Sequence, residues 1–241
     1  MRTHLALPPA DTDTDQSFVR EVDENLRRDQ AHDFAKKHGP WIIGALLLFL
    51  AAVAGWLYWQ DRQVKQAEAD TERLNTVLGQ VGAGQEAQAE APLRTLAESD
   101  AEGVSASARL TTAAIALEKS DRKTAIGAYR SVMDDEDLAA PYRDIATIRL
   151  TALEFDQMKP EDVIARLKPL AVKGNPWFGS AGELTAMALL KLNRREEAGR
   201  MFAAMAADDT VPDSIRSRAV QIAGTLGIDA TASLPAAARQ D

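Results

Sequence analysis

Histidine and cysteine are the side chains whose positions say most about possible chemistry in this chain. Histidine titrates near neutral pH and cysteine forms a reactive thiolate, so both serve in catalysis and in metal binding. The 241 residues contain no cysteine, and the three histidines are His4, His32 and His38. The long remainder therefore offers neither a Ser-His-Asp nor a Cys-His nucleophile, and it lacks the usual zinc ligands. We predict that the protein is not an enzyme and that it has no cofactor and no metal.

Carboxylates are the other groups that could bind a metal ion. They occur in two consecutive runs, at residues 134–137 and 208–209, both at predicted turns. Adjacent carboxylates in such positions are typical of solvated loops, and the alternative is a weak site for a hard cation such as Ca²⁺. No glycine-rich motif that could bind phosphate is present.

Three side chains are candidates for contacts with another protein. Trp177 follows Pro176 at the start of a predicted helix, where it either packs between stacked helices or anchors a peptide in a groove. Arg109 and Arg149 lie on predicted helices, where each is either a solvated surface residue or a groove contact. We predict Arg109, Arg149 and Trp177 as the protein-binding residues.

An uninterrupted apolar run from Trp41 to Trp59 must organise the rest of the chain. Its 19 residues carry no charge and no amide, and as a helix they would extend roughly 28 Å, close to the thickness of a bilayer's hydrocarbon core. A helix in a soluble core would be amphipathic, whereas this one is apolar on every side. We predict a transmembrane helix over 40–60. Its anchoring side chains are Trp41, Leu48, Trp56 and Trp59.

The charges that border the run predict its direction. Lys36 and Lys37 abut its N-terminal end, and basic residues favour the cytoplasmic side of a membrane. The basic residues close before the run outnumber those close after it only slightly. We predict a cytoplasmic N-terminus, with the large C-terminal part outside. A cleaved signal peptide, the alternative, has a shorter apolar region and a prompt cleavage site after small residues.

Charge excludes one class of partner. The net charge is −8, and after the apolar run 28 acidic side chains stand against 22 basic ones, a net charge of −6. An acidic domain has no electrostatic footprint for nucleic acid. About 180 residues follow the run, enough for one domain with a sizeable core.

The remaining segments complete the predicted organisation. Residues 1–16 are a disordered tail, and 17–38 form a cytoplasmic juxtamembrane helix with Phe18 and Val22 on one apolar stripe. That helix either lies on the inner leaflet or docks to a cytoplasmic protein. Residues 61–228 form the helical domain, and 229–241 are a flexible tail.

An apolar pattern repeats along the helical domain at steps of 36, 38 and 35 residues. Its first column is Ala89, Ala125, Val163 and Ala198. Four residues later it is Leu93, Tyr129, Leu167 and Phe202, and seven residues later Leu96, Val132, Leu170 and Met205. Two columns precede each unit's turn: Leu78, Ala114, Ala152 and Met187, and then Val81, Leu117, Phe155 and Leu190. We expect the preceding columns on the facing helix of an α-hairpin, whose apolar face is buried by neighbouring hairpins.

This pattern resembles the tetratricopeptide repeat over roughly residues 66–209. The resemblance implies an all-α fold: a single N-terminal transmembrane helix followed by a tetratricopeptide-like α-hairpin solenoid. Other α-solenoids and a plain helical bundle are the alternatives. Residues 213–227 would form a terminal capping helix.

The order of segments is similar to that of the bacterial YfgM-like family. The similar segments are F-V-R-E-V-D-E-N-L-R-R-D-Q at Phe18–Gln30, K-K-H-G before the span and G-W-L-Y-W-Q at its end. The resemblance implies an ancillary subunit of the Sec translocon in the inner membrane, with a periplasmic repeat domain. It implies as partners the translocon, a membrane-anchored periplasmic chaperone of the prolyl-isomerase type, and secreted polypeptides as they emerge. It supplies no catalytic residues. The alternative function is a scaffold for a cell-envelope assembly, such as a division or wall-synthesis complex.

Overall fold

The computed structural model describes the backbone of residues 12–233 and the side chains of residues 36–39 and 41–233. Within residues 12–233 all regular structure is helical, which confirms the predicted fold class. The chain divides into two units between Val64 and Lys65. The first unit contains the apolar run and the second contains the repeats.

Helix α1 runs over Thr12–Gly82 and contains the predicted transmembrane segment. Residues 12–16, which we expected in a disordered tail, are helical, whereas residues 1–11 lie outside the described part. The sequence T-D-T-D-Q of these residues contains neither proline nor glycine, so nothing in it interrupts a helix that continues from residue 17. The apolar stripe expected along 17–38 concerns side chains outside the described ones.

The second unit is a series of α-hairpins. Its helices are α2 (Glu86–Leu96), α3 (Glu102–Glu118), α4 (Arg122–Met133), α5 (Ala140–Glu154), α6 (Pro160–Leu167), α7 (Phe178–Lys191), α8 (Arg195–Ala206) and α9 (Asp213–Thr225). We call the last turns of α1 with α2 the first hairpin, α3–α4 the second, α5–α6 the third and α7–α8 the fourth. Four apolar clusters form the core, and each joins a hairpin to the first helix of the next hairpin or to α9.

The three predicted columns of the second helices are buried at every repeat. The first column, Ala89, Ala125, Val163 and Ala198, is at most 1% exposed. The bulky residues four positions later are at most 5% exposed, and those seven positions later at most 7%. The small residue lets the helices approach and the larger ones fill the space between hairpins, so stacking buries a face that one hairpin alone would expose.

One predicted column is misplaced. Leu78, Ala114, Ala152 and Met187 are exposed, Leu78 by 39% and Met187 by 45%. The packing position is one residue earlier, where Val77, Ala113, Thr151 and Ala186 are all buried. A helix turns about 100° per residue, so this shift moves the side chain from the core to the surface. We call Leu78, Ala114, Ala152 and Met187 the exposed column.

Three of the hairpins turn in the same way. After α1, α3 and α7 the chain passes through a residue with positive φ: Gly84 (74°), Ser120 (59°) and Asn193 (60°). At Ser120 the N–H of the next residue, Asp121, donates to the carbonyl of Ala116, and the N–H of Ser120 donates to that of Leu117. This is the Schellman motif, which satisfies the last carbonyls of a helix.

The C-terminal end of the domain is sealed by α9 and the residues after it. Ala219, Val220 and Ala223 are buried against α8, as expected for a capping helix. Residues 229–233, which we expected in a flexible tail, belong to the packed domain, since Ala230 is only 7% exposed and Thr231–Ser233 form a 3₁₀ turn. Residues 234–241 lie outside the described part.

Candidate functional site

The apolar run presents its side chains outward on all sides. Trp41, Leu48, Trp56 and Trp59 are 80%, 74%, 63% and 53% exposed, and every residue from 41 to 59 is exposed. Within the described residues, α1 is the one helix long and apolar enough to cross a membrane. Water would solvate this surface poorly, since apolar area is costly to expose, whereas lipid chains solvate it well.

Aromatic and charged side chains gather at the C-terminal end of the run. The rings of Trp56 and Trp59 lie 5.7 Å apart, and Arg62 donates a hydrogen bond of 3.1 Å from Nε to the hydroxyl of Tyr58. Rings with one polar atom favour the level of the lipid headgroups, because there the apolar ring contacts lipid chains while the polar atom forms hydrogen bonds. At the opposite end Lys36 and Lys37 are exposed. The direction of the span, which these lysines predict, stays a prediction.

The exposed column is an apolar feature of the surface of the repeat domain. Its four members occupy equivalent positions on α1, α3, α5 and α7, so stacking places them in one row. Charged side chains border it on α5 and α7. Lys191 lies 4.3 Å from the ring centroid of Phe155, and its Nζ lies 2.9 Å from Oδ1 of Asp156.

Arg149 lies beside this row. It is exposed on α5, three residues before Ala152 of the exposed column and therefore on the same side of the helix. Its charge acts on Tyr129 of the preceding helix, although burial dominates there and raises the pKa of the Tyr129 hydroxyl. The role of Arg149 in protein binding stays a prediction.

Arg109 instead joins structural elements. Its Nη1 lies 2.7 Å from Oδ2 of Asp135, and Nε and Nη1 also approach the carbonyls of Ala97 and Ser131. The guanidinium thus connects the end of α2 with the end of α4 and the turn after it. Its partner Asp135 belongs to the acidic run 134–137, for which the sequence predicts a solvated turn or, as the alternative, a weak site for a hard cation.

Trp177 packs against the apolar core of the repeat domain. It is partly buried against the apolar cluster that contains Val163, Leu167 and Ala181. The backbone N–H of Trp177 donates to the side-chain carbonyl oxygen Oδ1 of Asn175 at 2.8 Å, and this hydrogen bond stabilises the turn before α7. The packing of Trp177 between hairpins matches the first of the two alternatives that the sequence allowed.

The second acidic run also stabilises a turn. The hydroxyl and the N–H of Thr210 donate to Oδ1 of Asp208, at 2.6 and 3.0 Å, and these hydrogen bonds lower the pKa of the Asp208 carboxyl group. Asp209 pairs with Arg216 of α9 at 2.5 Å. Among the described residues no group of three or more acidic or histidine side chains is placed to hold a metal ion.

Two carboxyl groups meet where α2 begins and α3 ends. A hydrogen bond with Glu86, together with repulsion from its charge, raises the pKa of Glu118. The adjacent Lys119 pairs with Glu90, and this hydrogen bond lowers the pKa of Glu90. Sequence spacing did not indicate this cluster, because Glu86 and Glu118 are 32 residues apart and meet only through packing of α2 on α3.

Comparisons with known proteins agree with this architecture. The profile of the tetratricopeptide repeat-like domain family matches residues 32–223. A curated relative, the ancillary SecYEG translocon subunit of Haemophilus influenzae, is 26% identical over 168 residues, which cover 68% of this chain and 79% of that protein. No solved structure matches. Together with the segment order and the buried repeat columns, these matches confirm the similarity to the YfgM-like family, and the chain belongs to the family of the tetratricopeptide repeat-like domain.

Proposed function

We propose that this protein is a non-enzymatic adaptor anchored in the bacterial inner membrane, where it serves as an ancillary subunit of the Sec translocon. One observation carries the proposal: an outward-facing apolar segment and a stacked repeat domain occur together in a chain that aligns with an ancillary translocon subunit over most of both lengths. The fold supports binding rather than turnover, since repeat domains of this kind present extended surfaces to other proteins.

The length of the connection keeps the domain near the membrane. Leu74 is the first buried apolar residue of the repeat domain, and it follows Trp59 by 15 residues. Even fully extended, that many residues span at most about 50 Å. A partner that emerges from the membrane nearby therefore meets the domain at a high effective concentration, and weak individual contacts suffice for association.

The proposed orientation places the N-terminus in the cytoplasm and the repeat domain in the periplasm. Lys36 and Lys37 support it through the preference of basic residues for the cytoplasmic side. Alkaline phosphatase, which is active only outside the cytoplasm, fused after Asp241 should be active. A stably expressed but inactive fusion would show the opposite orientation.

The proposed partners are the translocon, a membrane-anchored periplasmic chaperone and secreted polypeptides as they emerge. Unfolded polypeptides expose the apolar side chains that the exposed column can cover, and burying such surface contributes about 25 cal/mol per Å². Arg149 and the Lys191–Asp156 pair supply polar contacts beside the column.

Site-specific photo-cross-linking in intact membranes tests this proposal. A photoreactive phenylalanine analogue at Met187, in the exposed column, should capture translocon subunits, the chaperone or a precursor in transit. The same analogue at Glu161, exposed on the second helix of the third hairpin, is the matched control and should capture these proteins less. Capture of division or wall-synthesis proteins alone at Met187 would reject translocon association and support the envelope scaffold.

A further inference from the structure

A cavity of about 350 Å³ lies where α2 of the first hairpin packs on the second hairpin. Helices α2 and α4 form its sides, and α3 forms its floor through Arg109, Thr112, Ala116 and Lys119. These four are three or four residues apart, so they share one stripe of α3. Ala114 of the exposed column lies roughly 140–200° around the helix from that stripe, at about 100° per residue. The cavity therefore opens on a different surface of the domain. We call this space the first groove.

The repeat provides an internal comparison for the first groove. The equivalent second groove lies between α4 and α6 over α5, and it contains an ion triad. A carboxylate oxygen of Glu154 on α5 lies 2.5 Å from Arg130 of α4, and the other lies 2.9 Å from Arg166 of α6. The Glu154 side chain is only 13% exposed, so its carboxylate is largely covered.

The first groove lacks the central carboxylate of that triad. By the repeat spacing, Arg94 corresponds to Arg130, whereas Ala116 corresponds to Glu154 and Ala128 to Arg166. Arg94, Ala116 and Ala128 all line the cavity. Two alanines at positions that elsewhere carry long side chains explain why a cavity exists here.

The third groove, between α6 and α8 over α7, carries apolar side chains at these positions. They are Leu189, which is 5% exposed, and Met201, which packs against the last apolar cluster. The second and third grooves thus carry long side chains where the first groove has Ala116 and Ala128. The first groove has Arg94 at the position of Arg130, but it lacks a carboxylate at the position of Glu154.

The charge of the cavity lining points to an acidic occupant. Three basic side chains and two acidic ones line it, in a part of the chain whose net charge is −6. Lys119 is paired with Glu90, and Arg109 with Asp135. Arg94 is exposed, and among the described side chains no salt bridge to it is formed, although its charge acts on Glu90 together with that of Lys119. Its guanidinium can therefore still form a bidentate pair with a further carboxylate.

We propose that the first groove binds a short acidic segment of a partner protein, whose carboxylate pairs with Arg94 as that of Glu154 pairs with Arg130. An aliphatic side chain next to the carboxylate would lie on Leu93 and Ile115, the apolar part of the lining. The volume is at the small end of the roughly 300–1,000 Å³ of ligand pockets, which suits one or two side chains. This inference goes beyond the proposed function, and either can fail alone.

Peptide binding to the full chain in zwitterionic lipid nanodiscs tests the proposal. The probes are a fluorescent Leu-Glu-Leu peptide, capped at both ends, and the matching Leu-Gln-Leu peptide, which lacks the carboxylate. We expect the glutamate peptide to bind at least about tenfold more tightly, because a charge-assisted hydrogen bond is stronger than a neutral one. Equal dissociation constants for the two peptides, or no binding of either, would overturn the proposal.

Variants locate the site. Arg94→Gln should remove the preference for the glutamate peptide, whereas Arg130→Gln, at the equivalent but already paired position, should leave it unchanged. The double variant Ala116→Glu with Ala128→Arg should rebuild the triad, fill the groove and abolish peptide binding, while thermal unfolding shows that the domain remains folded. If it unfolds, the pair of arginine variants decides alone. Retention of the preference in Arg94→Gln, or its loss in Arg130→Gln, would place the site elsewhere.

Discussion

At the scale of single residues, side-chain volume at equivalent repeat positions determines what is packed and what stays open. Ala89, Ala125 and Ala198 are fully buried because a small side chain lets neighbouring helices approach closely. Ala116 and Ala128 have the same size but line a cavity, although Ala116 is only 6% exposed. The consequence of a small residue thus depends on the side chains opposite it.

A pair of substitutions tests the assignment of core and surface. Leu167→Ala should lower the free energy of unfolding by about 2–5 kcal/mol, because Leu167 is fully buried and its truncation leaves a cavity. Met187→Ala, in the exposed column, should change it by less than about 0.5 kcal/mol. Urea unfolding followed by circular dichroism measures both. Equal losses would contradict the burial pattern of the hairpins.

A substitution at a backbone position with positive φ should stabilise the domain. Ser120 has a φ of 59°, a conformation that costs a side chain with a Cβ about 1–2 kcal/mol, while glycine adopts it freely but loses more entropy on folding. Ser120→Gly should therefore stabilise the domain by about 0.5 kcal/mol. Asn193→Gly should stabilise it less, because asparagine tolerates this conformation better. Thermal unfolding measures the difference, and a lower midpoint for Ser120→Gly would contradict the assigned turn.

At the scale of elements, each hairpin is joined to the next by apolar columns and by charges that meet only through packing. The contact between α2 and α3 contains one unfavourable pair, Glu86 with Glu118, next to one favourable pair, Glu90 with Lys119. The first groove lies along the same helices. Stability of this part of the domain should therefore depend on pH and on the occupant of the groove.

The sign of that pH dependence follows from the direction of the pKa shift. Glu86 raises the pKa of Glu118 in the folded state. Ionisation of Glu118 therefore destabilises the folded state as the pH rises above the ordinary pKa of a glutamate. Glu118→Gln should make the protein more stable than the parent at pH 7, and the gain should disappear below roughly pH 4, where glutamate is protonated in both states. Thermal unfolding between pH 4 and pH 7 measures this gain. Glu72→Gln, an exposed site on α1, is the control; a gain that does not depend on pH would contradict the carboxyl pair.

At the scale of the whole molecule, the chain combines a lipid-soluble helix with a repeat domain whose net charge is negative. The short connection after Trp59 limits the distance of the domain from the bilayer. In the proposed function, localisation and binding act together, because a domain released from the membrane would lose the effective concentration that the tether supplies.

A charge in the middle of the apolar run tests the anchor. Leu48→Arg should cost roughly 3 kcal/mol of insertion free energy, whereas Leu48→Ile should cost almost nothing. The fraction of protein that resists alkaline carbonate extraction should fall for the arginine variant and not for the isoleucine variant. Unchanged retention of both would indicate peripheral attachment instead.

The sequence by itself determined the apolar helix, the steps of 35–38 residues and the buried columns on the second helices. These features are visible in one dimension, because hydrophobic runs and helical periods lie along the chain. It also allowed the packing of Trp177 as one of two alternatives. The structural role of Arg109 was not visible, since its partner Asp135 is 26 residues away.

Only the tertiary structure decided which side of each first helix faces the neighbouring hairpin, and it moved the exposed column one residue away from the core position. The same holds for the Glu86–Glu118 pair and for the first groove, where Ala116 and Ala128 take the place of Glu154 and Arg166. The physical reason is common to all of them. An amphipathic pattern indicates that a helix has a buried face. The contacts that determine where this face ends come from residues distant in sequence.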